Sequence, residues 1–244
     1  MDQFTLKQYM LKSPDAKLRD IVMQLLYDEI IDLKLLPGTK LNVNQLSASL
    51  GISRTPVAEA IAKLTEIGFV VQHDGQSGSY VLSLDLHDMI NLYRVRDAVE
   101  SEAAALCALS ADDNTITQLY SLAEAFRVSV INRDYMGMKE TDMPFHKLIM
   151  HSCCNPYIMN CYEQLLPRLT MYRSSMLHFV GDSSSDANPW LPSVRYNHVS
   201  VVSAIRMRMP EMARKAMSAH IDASLNFTAL SGNGSDPFRA LTEK

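Results

Sequence analysis

Apolar residues recur at helical spacing between positions 15 and 36, where Leu18, Ile21, Val22, Leu25, Leu26, Ile30 and Ile31 share one face. Pro37-Gly38 ends that run. Residues 46–68, LSASLGISRTPVAEAIAKLTEIG, then predict two short helices joined by a tight turn. Leu46, Leu50 and Ile52 gather around Gly51, which accepts the positive φ such a turn needs. Ser53 stands where a hydroxyl can cap the next helix, and Pro56 fits its first turn, where a missing N–H costs nothing. Val57, Ile61 and Leu64 form the buried stripe. Residues 69–73 and 80–84 predict two strands, joined by the turn-rich DGQSGS of residues 74–79.

From Asp85 onward the pattern changes. Strand alternation ceases, Gly becomes rare, and Ala, Met and Leu recur at helical spacing. This predicts helices over 86–109, 112–132, 134–153, 156–179, 193–208 and 210–230, with a polar loop over 181–189 and a loose tail from 231. The fold expected is mainly α. A winged helix-turn-helix, α with a small β hairpin, spans residues 1–85, an all-α helical bundle spans 86–230, and a tail spans 231–244. The junction Leu84-Asp85-Leu86-His87-Asp88 holds no Gly or Pro and is expected to be stiff.

A helix presented across a tight turn is how a protein reads the major groove of DNA. Ser53, Arg54 and Thr55 mark the start of that helix, whose free N–H groups suit a phosphate, and Arg54 can also reach the O6/N7 edge of guanine. The hairpin tip, with His73, Gly75 and Gln76, can lie along the minor groove. Charge limits this expectation. The chain carries a net −4 with pI near 6.0, and residues 1–80 hold eight Lys/Arg against nine Asp/Glu. DNA affinity must therefore come from local placement, with Arg54, Lys40 and Lys63 on one face and a homodimer doubling the phosphate contacts. Cys107, Cys153, Cys154 and Cys161 show no Cys-x-x-Cys spacing, and no signal peptide or membrane-spanning run is evident, so a reduced, cytoplasmic protein with no membrane partner is expected.

In the helical region, Asp142 and His146 stand four apart on one predicted helix, so their side chains share a face. His198 lies eleven residues before Met209 and His220 eleven after it. If the helices on either side fold back at Met209-Pro210, both imidazoles stand about 16 Å from the turn at about 1.5 Å per residue. One carboxylate and three neutral imidazoles suit a borderline divalent cation, Zn²⁺ or Ni²⁺ first and Mn²⁺ third, with positions left open for a ligand. Taken singly, each histidine is more often a packed or solvated side chain. Arg94, Arg96, Arg168 and Arg173 are candidate carboxylate clamps, although Arg96 and Glu100, at i and i+4, can simply pair with each other. The methionines Met136, Met138, Met143, Met150 and Met171 read as core filling.

The Pro-Gly-x-x-Leu turn, the run LGISRTPV, Glu59-Ala60 and the wing glycines together resemble the winged helix-turn-helix of the GntR superfamily of bacterial transcription regulators, over residues 15–85. That family usually has Arg before the Glu-Ala pair. This chain has Ala58, with Lys63 on the same helix as a substitute. Arg96 with Glu100, Asp142 with His146, then His198 and His220 resemble the FCD effector domain of the FadR subfamily, over residues 88–228. The resemblance implies a metal held by Asp142, His146, His198 and His220, and a small carboxylate effector coordinated to it. It departs at Asn197, where an acidic residue is frequent. The function expected is a dimeric, ligand-responsive repressor of operator DNA. The alternatives are a metal-free regulator that binds an acyl or coenzyme A ligand, and a metalloenzyme, which the absence of a motif such as His-Glu-x-x-His disfavours.

Overall fold

A computed structural model describes residues 1–73, 77–182, 197–231 and 238. The chain divides into two compact units. The first is Met1–Leu84, joined by Thr170–Ser174 and Phe238, and the second begins at Asp85.

The N-terminal unit starts with a helix the apolar pattern did not predict, α1 (Gln3–Lys12). Only Leu6 is buried along it, so it carries no apolar stripe to read. Polar contacts fix it instead: Asp2 accepts the Thr5 N–H as an N-cap, and the Tyr9 hydroxyl donates to Asp28 at 2.5 Å. Helix α2 (Leu18–Ile31) buries Ile21, Val22, Leu25, Leu26, Ile30 and Ile31, each worth about 1.5–3 kcal/mol once out of water. It stops short of the expected 36 because the chain turns back at Leu33, which takes φ +56°, while the Lys34 and Leu35 N–H groups both bond the Glu29 carbonyl.

Strand β1 (Lys40–Leu41) leads into α3 (Val43–Leu50), whose N-cap Asn42 accepts from the Asn44 and Gln45 N–H groups. Gly51 ends α3 in the left-handed region, φ +66°, a backbone conformation that favours glycine. Helix α4 (Arg54–Glu66) buries Val57, Ala60, Ile61 and Leu64 and packs on α2 and α3. The wing is shorter than expected: β2 (Val70–Val71) and β3 (Ser79–Val81) pair antiparallel. It also gains β1 as a third strand, in the order β1-β3-β2. Two residues bracketed by Gly38 and Asn42 are too few to show alternation.

The regular elements described in the second unit are all helices. It comprises α5 (Leu86–Ser110), α6 (Asp113–Asn132), α7 (Tyr135–Ser152), α8 (Pro156–Asp182) apart from Thr170–Ser174, α9 (Asn197–Arg206) and α10 (Pro210–Ser231). Aspartates start three of them: Asp85, Asp112 and Asp134 accept N–H bonds from Asp88, Thr115 and Gly137. Helix α5 packs against α7, α9 and α10, α6 packs against α7 and α9, and α9 packs on α10. The α9–α10 reversal uses Arg208 at φ +57° with Pro210 opening the next helix. The expected start of α9 at 193, most of the 181–189 loop and nearly all of the tail lie outside the described residues. No helix among those described is long and apolar enough to cross a membrane.

Candidate metal centre and nucleic-acid interface

Three helices of the second unit bring Asp142, His146, His198 and His220 together, with one donor atom from each lying within 4.8 Å of all the others. Helix α7 supplies Asp142 and His146 one turn apart, α9 supplies His198, and α10 supplies His220. The three histidines are buried and Asp142 keeps 17 % of its side-chain surface. Asp142 Oδ1 lies 3.3 Å from His198 Nε2 and 3.6 Å from His146 Nε2, and the Nε2 atoms of His146 and His220 are 3.1 Å apart.

Those separations test the fit of an ion. Four N and O donors about 2.1 Å from one cation stand roughly 3.0–3.4 Å from each other; the 3.1 and 3.3 Å separations fall in that range and the 3.6 Å separation lies just above it. The protonation chemistry agrees. Burial, then the neighbouring His198 and His146, hold the His220 imidazole well below its usual pKa, so it stays neutral and keeps a lone pair for a metal. Three imidazoles and one carboxylate suit a borderline divalent cation.

The surroundings fix the rings. Glu100 Oε2 contacts His146 Nδ1, so that nitrogen carries the proton and Nε2 is left as the acceptor facing the cluster. Arg96 Nε donates to Glu100 Oε1 at 2.6 Å, both side chains being buried, and an Arg96 Nη stands 3.3 Å from His146 Nε2. Burial alone would weaken the Arg96 charge, but Glu100, Tyr93 and Asp142 together outweigh it and raise the Arg96 pKa. Phe126 and Phe145 pack their rings 4.3 Å from His198 and wall the cluster with apolar surface. The sequence reading missed Glu100 as the partner of His146 and both phenylalanines. The available signal was a glutamate on the buried face of α5, which demands a second partner besides one arginine.

Glu100→Gln is expected to lower metal affinity about 10- to 100-fold, as loss of a ligand-orienting carboxylate does. It should also lower the melting temperature, because Arg96 is left as an uncompensated buried charge. Unchanged metal affinity by calorimetric titration would remove Glu100 from that role.

The other candidate clamps sit elsewhere. Arg94 is exposed and, two residues before Arg96 on α5, points away from the cluster. Arg168 bonds Asp88 at 3.0 Å. Arg173 is buried in the α8 segment that belongs with the N-terminal unit. His73, His87 and His151 are exposed.

In the N-terminal unit Ser53, Arg54 and Thr55 are exposed at the start of α4. The expected hydroxyl cap is not made. Ser53 has extended backbone, φ −68° and ψ 163°, but no side-chain bond to the helix, which leaves the first N–H groups facing outward. Lys63 is engaged within the same unit. Its ammonium contacts Asp20 of α2, which is thereby held below the usual carboxylate range. Arg19 meanwhile pairs with Glu59 of α4 at 3.7 Å. His73 packs its ring 5.2 Å from that of Tyr80. Gly75 and Gln76 lie outside the described residues.

Comparison with known proteins matches residues 18–81 to the gntR family of bacterial regulatory proteins and residues 91–223 to the FCD domain. An HTH-type transcriptional regulator in an unstable DNA locus of Streptomyces ambofaciens is 31% identical over 206 residues, 84% of this chain and 82% of its own. The HTH-type transcriptional repressor RspR of Escherichia coli K12 is 25% identical over 209 residues, 86% of this chain and 88% of its own. Among solved structures, Escherichia coli McbR/YncC superposes with a TM-score of 0.70 at 21% identity, covering 88% of this chain and 99% of its own, which shows a shared fold.

Proposed function

The chain belongs to the gntR family of bacterial regulatory proteins, with an FCD domain behind its DNA-binding helices. On that premise we propose that it is a dimeric, cytoplasmic repressor whose hold on operator DNA is set by a small carboxylate bound at the metal centre. Its relatives are named regulators and repressors, which makes it a transcription regulator and not a metalloenzyme.

The convergence of Asp142, His146, His198 and His220 carries this reading. These four residues would hold a divalent cation, Zn²⁺ or Ni²⁺ before Mn²⁺, and the cation would supply a Lewis acid for a carboxylate oxygen. Arg96, 3.3 Å from His146 Nε2, presents a guanidinium beside that place and complements the second oxygen. An acid recognised there regulates DNA binding only through its different affinity for the DNA-competent and incompetent forms. The recognition side is Arg54 and Thr55 on α4, repeated twice in a dimer to meet successive major grooves.

Thermal melting tests this reading. Metal-stripped protein is titrated with Zn²⁺, Ni²⁺ and Mn²⁺, then with a panel of sugar acids and dicarboxylates. At about a hundred times its dissociation constant a ligand adds about 2.7 kcal/mol to the native state, and at about 2–4 °C per kcal/mol that is a rise of roughly 5–10 °C. The expected result is a rise with one metal and a further rise with one acid only when that metal is present. A rise with an acyl-coenzyme A that ignores metal would favour the metal-free regulator.

A further inference from the structure

The N-terminal unit binds DNA, on the reading above, despite having fewer basic than acidic side chains over residues 1–80. Several of its cations are already engaged within the fold. Lys63 contacts Asp20, Arg19 pairs with Asp20 and Glu59, and Lys34 pairs with Glu29 and Asp32. Among the described residues Lys40 has no acidic partner, and the wing holds it in a particular place.

Lys40 is the exposed residue of β1, set against Tyr80 of β3 by the strand register, while its neighbour Leu41 points into the core. Its Nζ sits over the Tyr80 ring, 5.5 Å from the centroid. His73 packs against the same ring at 5.2 Å. Gly78 completes the arrangement. At φ +129° it adopts a backbone that favours glycine, and a Cβ there would stand 2.8 Å from Lys40 Cε and 3.4 Å from Nζ, pushing the ammonium off the ring. The aromatic ring thus favours one placement of an otherwise flexible lysine, and the bare backbone of Gly78 leaves room for it. An ammonium already ordered loses less entropy when it meets an anion, and the anion that lines up beside a wing is the DNA phosphate backbone.

We propose that Lys40, held over Tyr80 in the space Gly78 leaves, is the wing's phosphate anchor, and that Lys63 is a structural tie between α4 and α2 and not a DNA contact. The inference rests on the DNA-binding reading and assigns the work within it. Lys40 contributes affinity to any duplex and no sequence preference, whereas Arg54 contributes preference.

The test measures affinity for a labelled mixed-sequence DNA duplex by fluorescence anisotropy over a series of sodium chloride concentrations. Each phosphate contact contributes about 0.9 to the slope of log affinity against log salt. Lys40→Met should reduce the slope by about 0.9 for each copy engaged, Lys40→Arg should restore it, and Lys63→Met should keep the wild-type slope. Melting curves establish that each variant is folded. A Lys40→Met protein that binds with the wild-type slope overturns the proposal, and so does a Lys63→Met protein that loses slope while Lys40→Met does not. Wild-type protein that shows no salt-dependent binding would instead remove the DNA-binding reading itself, a result separable from the other two.

Discussion

Arg54→Ala is expected to lose specific operator binding while metal content and melting stay at wild-type values. Arg54 is exposed at the first turn of α4, beside N–H groups that Ser53 does not cap, and it has no acidic partner among the described residues. A good arginine contact to a base edge discriminates by about 1–3 kcal/mol. Two copies in a dimer make that roughly 2–6 kcal/mol, between roughly 30-fold and 20,000-fold in affinity. The helix itself is held by Val57, Ala60, Ile61 and Leu64 on its other face, so an exposed substitution should change stability by no more than about 0.5 kcal/mol. Fragments of genomic DNA selected with wild-type protein provide the probe, and titration of the variant on the same fragments gives the answer. Wild-type affinity there would take the recognition role away from α4.

The second large effect concerns the metal. His220→Ala and His198→Ala should each lower metal affinity by more than the roughly 100-fold that marks the upper end for an orienting residue behind a ligand. Each removes one donor from a set of four, so a metal–protein bond is lost outright. Elemental analysis after dialysis against a metal buffer reads this directly, and circular dichroism separates metal loss from unfolding. Full metal content in both variants would leave the cluster as a structural histidine core. In either variant the carboxylate-dependent melting shift should vanish together with the metal-dependent one.

What could be read from the chain and what could not follows from sequence distance. The α3–α4 turn, with Gly51 between two apolar sets, was legible because the residues that fix it are neighbours. The bundle helices were legible for the same reason, since aspartate caps and prolines mark their ends within a turn of the positions they act on. Asp142 and His146 could be placed on one face, and the equal spacing of His198 and His220 around Met209-Pro210 could be converted to equal depth.

The unread features involve partners far apart in the chain. Lys63 and Asp20 are 43 residues apart, and Arg96 and His146 are 50 apart. No local pattern tells a lysine on the rim of a helix whether its anion will be a phosphate or a neighbouring aspartate. Helix α1 escaped because a cap and a tyrosine hydroxyl fasten it, where periodicity looks for an apolar stripe.

The cluster joins α7 to α10 across 74 residues of chain, through His146 and His220. A cation gripped at both ends of so long a segment is a cross-link as well as a cofactor, and its binding free energy is added to that of the folded state. If the proposed cation is bound, ion supply would set protein lifetime in a growing bacterium: chains made while the cation is scarce would spend more time open to proteases and be cleared sooner. Starvation for that ion would then relieve repression by lowering the number of repressor molecules per cell, with the promoter responding even when no carboxylate is present.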